Sequence, residues 1–281
     1  MLDSAIIDTG PPPSVLQAPP AIVREHRPDP ADASTDFLGL RFQTADMRHV
    51  VDDIGGRAPT ARFAYVVTPN VDHMVRLHHL RSDLWPAYRS AWMTLCDSRV
   101  LGRLATRAGM GLPIVPGSDL TAALFREVIA PTDRIAVLGG TPASVEALCH
   151  TYGLTDVVHH NPPMGFIDDG EATSRAMEFL LAARARYTIL AVGSPQQEIL
   201  AYRMARLGTA IGIGLCVGAS LDFLTGKQRR APGFIQRLSL EWLYRLVSSP
   251  GRMWRRYLVD GPLIFLIYRA WAARFRSGGV A

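Results

Sequence analysis

The sequence predicts an α/β protein: a mostly parallel, Rossmann-like sheet with helices on both faces, carrying a basic C-terminal helical appendage. Three observations predict it. Short apolar runs of strand length alternate with stretches of helix length from Phe37 to about residue 233, the pattern of repeated βαβ units. Several of these runs end in glycine turns, as at Gly139-Gly140-Thr141, Gly193-Ser194-Pro195 and Gly218-Ala219-Ser220. From Phe234 the alternation stops, and the chain turns basic, aromatic and helical, with breaks at residues 248–251 and at Gly261-Pro262.

In chain order, residues 1–36 hold many Pro, Ala and Asp without periodicity, and a disordered extension is expected there. Residues 38–42 (LGLRF) and 45–56 (ADMRHVVDDIGG) read as a strand and a short helix. Residues 63–67 are β-branched and aromatic, a strand ending in Thr68-Pro69-Asn70, with a helix on to Leu80. Residues 92–96 form the next strand and deliver Asp97 at its carboxyl end, before a helix over 99–108. Ser118 or Asp119 is the expected cap of a helix reaching Ile129. Further strands are expected at 135–138, 157–159, 187–192 and 209–217. Pro142 and Pro195 suit the first turns of two helices, and residues 172–185 form another. The expected division is an extension (1–36), an α/β catalytic core (37–233) and a membrane-associating appendage (234–281).

Cys96, Cys149 and Cys216 are scattered in apolar contexts without a CxxC pair, which points to buried thiols in a reducing compartment. The N-terminus lacks the basic start and apolar core of a signal peptide. No apolar run reaches the roughly 18 residues of a membrane span. Charge is unevenly placed. From Lys227 onward eleven Lys and Arg face only Glu241 and Asp260, a net +9 in a chain whose total is +5, leaving −4 for the rest. An acidic partner for the tail follows: a membrane surface, a diphosphate or nucleic acid. Without a recognised reader motif, nucleic acid is not expected.

Polar residues at the carboxyl ends of parallel strands face the crevice where such sheets bind ligands, which singles out Thr68, Asn70 and Asp97. Asp97 follows five uncharged, mainly apolar residues, and desolvation makes a carboxylate a better base near neutral pH. Capping the helix from Arg99 would explain the same residue equally well. Gln196, Gln197 and Glu198 fall in a first helical turn, where free amides favour an anion, although an ordinary βαβ unit has the same spacing. Gly139 and Gly140 resemble a phosphate-cradling turn but are not a GxGxxG fingerprint. Asp222 could accept hydrogen bonds from a base or ribose, or simply cap a short helix. Asp52-Asp53 and Asp168-Asp169 lack DxD spacing, and His73, His78 and His79 lack acidic partners and read as surface residues, so no metal site is expected. In the tail, Arg245, Arg252, Arg255 and Arg256 are interleaved with Trp242, Tyr244, Trp254, Tyr257, Tyr268 and Trp271, the composition of a membrane-interface helix.

TPNVDH (68–73), PGSDL (116–120), VLGG (137–140), VGSPQQE (192–198), VGASLDFLTGKQRRAP (217–232) and LSLEWLYRL (238–246), followed by WRRYL (254–258), appear in this order. Together they resemble the WecG/TagA/CpsF glycosyltransferases over residues 37–260. The resemblance implies metal-independent sugar transfer with inversion, from a UDP-sugar to a polyprenyl-diphosphate-linked acceptor at the cytoplasmic membrane face, in bacterial surface polysaccharide assembly. No cofactor is implied beyond the UDP-sugar, and homo-oligomers are possible. Carried over by motif, Asp97 is the general base, and Thr68 and Asn70 line its pocket. Gln197 holds a sugar, Phe166 stacks on uracil, and Asp222 fixes the nucleotide. Arg245, Arg252 and Arg255 neutralise diphosphate charge. Two departures stand out: relatives usually follow the Asp with glycine where this chain has Ser98, and residues 112–116 (LPIVP) lack a basic residue that relatives commonly carry.

Two other classes share part of this pattern. A nucleotide-dependent oxidoreductase would need the missing GxGxxG and its acidic partner. A non-catalytic membrane-surface scaffold would need only the basic tail.

Overall fold

A computed structural model describes residues 34–218, 221, 224, 251 and 254–276. It opens with a hairpin of β1 (Ser34–Phe37) and β2 (Leu40–Gln43), paired antiparallel from Ser34↔Gln43 to Phe37↔Leu40. The two-residue turn places Leu38 at φ 53° and Gly39 at φ 83°, the left-handed pair that matches strand twist in tight hairpins. The strand β1 starts a few residues before Phe37, in a polar stretch that carries no strand signal of its own.

The body follows as α1 (Met47–Gly56), β3 (Ala64–Val67), α2 (Val71–Val75), α3 (Trp85–Arg89), β4 (Met93–Thr94), α4 (Arg99–Arg107), α5 (Gly117–Glu127), β5 (Ile135–Gly139) and α6 (Pro142–Tyr152). Then come β6 (Val157–His160), α7 (Gly170–Ala183), β7 (Tyr187–Ala191), α8 (Gln196–Leu207), β8 (Ile213–Cys216) and α9 (Leu263–Arg276). A π-helical turn over Arg76–Leu80 links α2 towards α3, and another, Arg255–Asp260, precedes α9. Pro195 caps α8 instead of opening it. The cap of α5 is Pro116, not Ser118 or Asp119.

Among the described residues the main sheet has six strands, all parallel, in the order β4-β3-β8-β7-β5-β6. Side chains alternate between its faces, as the pleat requires. Tyr65, Val67, Ala136, Leu138, Leu190 and Cys216 point into one hydrophobic cluster with α2, α3, α4, α7, α8 and α9. Val66, Ile135, Val137, Ile189 and Leu215 point into a second, with α1, α5 and α6. Right-handed crossovers account for the partition. The links β3→β4, β6→β7 and β7→β8 step in one direction across the sheet and β4→β5 and β5→β6 in the other, so α2, α3, α7 and α8 fall on one face and α5 and α6 on the other, while α4, early in the long β4→β5 link, packs in the first cluster. Adjacent strands whose chains leave towards opposite faces open a crevice at their carboxyl ends. By the direction of the links, this happens among the described strands at β3/β4, β5/β7 and β5/β6.

The helix α9 packs onto the body. Ile264, Ile267, Trp271 and Ala272 are buried in the first cluster, and the Trp271 ring meets Phe37 of the hairpin edge-on at 5.1 Å. Its outer face keeps Phe265 and Leu266 more than half exposed.

Candidate active site

The carboxyl edge of the sheet sets the candidate residues in a row. Across it lie Asp97 after β4, Thr68-Pro69-Asn70 after β3, Gly218 after β8, Gly193-Ser194-Pro195 after β7 and Gly139-Gly140 at the end of β5. From β4 to β5 is four strand steps, roughly 19 Å at the usual spacing.

At the β3/β4 end the two turns are tied together by the Asp97 N–H, which donates to the Pro69 carbonyl at 3.1 Å. Asp97 is half-buried. Capping does not account for it, because Ser98 Oγ caps α4 by accepting from Leu101 N–H at 3.3 Å. The serine that departs from the family pattern therefore has a structural task. Burial pushes the neighbouring Cys96 thiol up to about 12, and the Asp97 charge adds to the effect. Asn70 caps α2: its Oδ1 accepts from Asp72 and His73 N–H at 3.1 and 3.4 Å, and its own N–H donates to His73 Nδ1. The Asn70 Nδ2 group is the part of this side chain that the cap does not use. Thr68 is 7% exposed and lies against the first residue of α5, close enough that a Cβ on Gly117 would be 2.9 Å from Thr68 Oγ1. The start of α5, which no side chain caps, thus lies beside Thr68. Uncapped helix N-termini offer amides to an anion, and α8 also starts without a side-chain cap.

At the β7/β8 end a polar chain links the turns. Arg76, on the π-helical turn after α2, bonds Asp72 Oδ2 at 2.5 Å and donates to Ser194 Oγ at 2.8 Å. Gln197 Nε2 donates to Glu198 Oε1 at 2.9 Å, and Gln197 Oε1 accepts from Gly218 N–H at 2.9 Å. Gln197 is 3% exposed with both ends of its amide engaged. It latches the β8 turn to α8 and does not present its amide to a sugar, a correction to the role expected from its motif. Glu198 is 1% exposed, and its Oε2 has no hydrogen-bond partner among the described residues. Burial raises its pKa; the Gln197 amide, the Ser194 hydroxyl and the Arg76 charge oppose the shift.

Gly139 has φ +92°, and a Cβ there would sit 2.7 Å from the Ala191 carbonyl oxygen, so β5 and β7 approach this closely only with glycine. A Cβ on Gly140 would meet Leu221 at 3.1 Å, which sets this turn beside the segment following β8. Phe166 does not offer a face to a base. It is 1% exposed inside the first cluster, with its carbonyl accepting from Thr173 Oγ1 at 2.8 Å. The preceding Gly165, at φ +77°, turns the loop so that the ring goes inward and Met164 stays outside. Arg255 lies on the π-helical turn that packs against α2, with its Nε 3.9 Å from Asp260 Oδ2. Asp222, Arg245 and Arg252 lie outside the described residues. Among those described, no three His, Cys, Asp or Glu side chains gather in a metal-binding cluster.

Sequence reasoning missed Arg76, Ser194 and Gly117. Asp72 and Arg76 have the readable i,i+4 spacing of a helical ion pair. The bond from Arg76 to Ser194 spans 118 positions and had no local signal.

Compared with known families, the chain matches the profile of the glycosyl transferase WecG/TagA/CpsF family over residues 35–278. The match runs from the hairpin through the sheet to α9.

Proposed function

The chain belongs to the WecG/TagA/CpsF glycosyltransferase family, and from that premise we propose that it moves a sugar from a UDP-sugar to a polyprenyl-diphosphate-linked acceptor, with inversion and without a metal ion. The observation that carries the reading is the pairing of the Asp97 turn with the Thr68-Pro69-Asn70 turn across β3 and β4. It brings the backbone that carries Asp97 beside the turn that carries Thr68 and Asn70, which supports reading the three as one site.

In the proposed mechanism the Asp97 carboxylate takes the proton of the acceptor hydroxyl as that oxygen attacks the anomeric carbon. The bond from this carbon to the diphosphate oxygen breaks, and UDP leaves with the electron pair. Attack from the face opposite the leaving group inverts the centre. Thr68 Oγ1 and the Asn70 amide orient the acceptor. The amides at the start of α5, beside Thr68, stabilise the diphosphate, because preorganised donors act on charge where it develops, and Gly139-Gly140, far along the sheet edge from Asp97, takes the more distant nucleotide part of the donor. Arg255, beside α2, joins Arg245 and Arg252 in neutralising the diphosphate, a role suited to the planar guanidinium fork. Gln197 acts through the Gly218 turn that it holds, and Asp222 fixes the nucleotide.

A lipid-linked acceptor places this chemistry at the inner face of the cell membrane. Among the described residues no helix is long and apolar enough to cross one. Exposed apolar side chains near the C-terminal end support the reading. Trp254, Leu258, Val259, Phe265, Leu266 and Phe275 are 44–58% exposed, close in sequence to Arg255, Arg269, Arg274 and Arg276. Each cation near an anionic bilayer contributes about 1 kcal/mol.

The test is UDP release across a panel of UDP-sugars, with and without native lipid extract. One active donor, only in the presence of lipid, is the expected result. Asp97→Asn should cut that rate by about 10²–10⁴-fold while UDP still binds. An Asn variant with undiminished transfer would remove the general base from this account. Silence across the whole panel would favour the scaffold reading.

A further inference from the structure

Midway along the carboxyl edge of the sheet lies an arginine that none of the motifs marks. Arg76 is the first residue of the π-helical turn after α2, and it bonds Asp72 Oδ2 at 2.5 Å and Ser194 Oγ at 2.8 Å. Asp72 follows β3, Ser194 follows β7, and β8 is the strand between those two. The guanidinium therefore spans the carboxyl end of β8. That is two strand steps, roughly 10 Å, from β4 on one side and two from β5 on the other. Both anchors fix its direction. Asp72 stands four residues back, the spacing of a helical ion pair, and the two side chains are only 19% and 21% exposed. Ser194 Oγ lies 3.4 Å from the hydroxyl of Tyr88, a buried ring of α3. The two bonds use two of the five N–H donors of a guanidinium, and no hydrogen bond among the described residues engages the other three.

We propose that Arg76 binds the β-phosphate of the donor and steadies it as the leaving group. The inference rests on the UDP-sugar transferase reading and adds to it a residue of the α/β body. Position along the sheet edge carries the assignment. Asp97, after β4, marks the reacting end, and Gly139-Gly140, at the end of β5, marks the nucleoside end. The acceptor oxygen, the anomeric carbon and the bridging oxygen separate the Asp97 carboxylate from the β-phosphate, and they suit the two steps from β4 to β8. The α-phosphate and ribose suit the two steps from β8 to β5. When the bond from the anomeric carbon to the bridging oxygen breaks, that oxygen keeps the electron pair, and the new charge falls beside Arg76. The acceptor proton goes to Asp97. Asp72 offsets part of the Arg76 charge, so the pair contributes a fork already aimed, which costs little freedom on binding and acts where charge develops. The π-helical turn carrying Arg255 packs against α2, which brings a second arginine to the same side of the crevice.

The experiment is calorimetric titration of the full chain with UDP and with UMP, which lacks the β-phosphate. Arg76→Gln should weaken UDP binding about tenfold or more, as lost charge-assisted hydrogen bonds do, and UMP binding less than about threefold. Arg76→Lys keeps the charge without the fork and should fall between wild type and Arg76→Gln. Ser194→Ala leaves the guanidinium in place and removes only its tie to the β7 turn, so it should weaken UDP less than Arg76→Gln does. A tie with no ligand role predicts equal losses in Arg76→Gln and Ser194→Ala, shared alike by UDP and UMP, and that pattern would overturn the proposal. If Arg76→Gln fails to fold, Arg76→Lys carries the decision: weaker UDP with UMP spared supports the contact, and equal losses overturn it. Wild type and folded Arg76 variants that bind UDP equally well would overturn the role of Arg76 alone. A wild-type chain that binds neither nucleotide would overturn the UDP-sugar reading, and Arg76 with it.

Discussion

Gly117→Ala tests whether Thr68 belongs to the reacting centre. The new Cβ would lie 2.9 Å from Thr68 Oγ1, 3.4 Å from its Cγ2 and 3.5 Å from its Cβ. Comfortable contact to the oxygen needs roughly 0.5 Å more. Thr68 is buried and β-branched, so it yields by moving as a unit and not by a free rotation. Overpacking of this kind costs about 1–3 kcal/mol, and replacing a helical glycine returns up to about 1 kcal/mol. Net destabilisation of about 0–3 kcal/mol should lower the melting temperature by several degrees at most. The effect on rate should be larger. Misplacement by 1 Å can cost about 10²-fold, so half of that predicts a loss of about tenfold in transfer at saturating donor. UDP affinity should change less than about twofold. Calorimetry and UDP release read the two quantities separately. Unchanged transfer together with a lowered melt would show that the Thr68 hydroxyl is not near the chemistry. A parallel loss of UDP affinity would move Thr68 from the acceptor to the donor side.

Glu198 makes a pH-dependent prediction. Its folded-state pKa is raised, chiefly by burial, so its contribution is fully favourable below the unfolded pKa and is lost as pH rises through the folded one. Wild-type stability should therefore decline across that window, with a slope of at most about 1.4 kcal/mol per pH unit from this group. In Glu198→Gln that component should vanish; identical pH profiles of the urea midpoint would refute the assignment. Phe166→Ala should cost about 3–5 kcal/mol of stability, as for other buried phenylalanines, with donor preference unchanged. A large loss of UDP affinity at unaltered stability would instead support a stacking ring.

The sheet was legible because its signals are local. Val66 and Val67 sit in an apolar run that ends at a proline, and Ile135, Val137 and Ile189 sit in runs closed by glycine. Such runs specify buried strands whatever surrounds them. The position of Asp97 was equally readable, since a strand end needs no distant partner to define it. What Asp97 is not, a helix cap, became clear only when Ser98 was seen to take that place. Side-chain direction was the harder problem. Gln197 and Phe166 lie in the right motifs and near the right turns, yet both point inward. Whether a polar amide faces a crevice or closes a hydrogen bond to Gly218, 21 positions away, depends on packing that no short window contains. The first hairpin was missed for another reason. Its register is set by two left-handed residues, one of them the non-glycine Leu38, where β-turn chemistry gives little warning.

The junction of Trp271 with Phe37 joins the hairpin at one end of the described chain to the helix at the other. Two Ile, a Trp and an Ala on α9 bury themselves there, and each large side chain is worth about 1.5–3 kcal/mol. The hairpin and the last helix should thus unfold as one cooperative unit, with amide protons in both protected to similar degrees. Truncating the C-terminal region would strip cover from Phe37, Leu38 and Phe42 and shed basic charge in a single stroke. Lost membrane binding in such a truncation would be confounded with a loosened body, so point substitutions on the solvent side of α9 are the cleaner instrument.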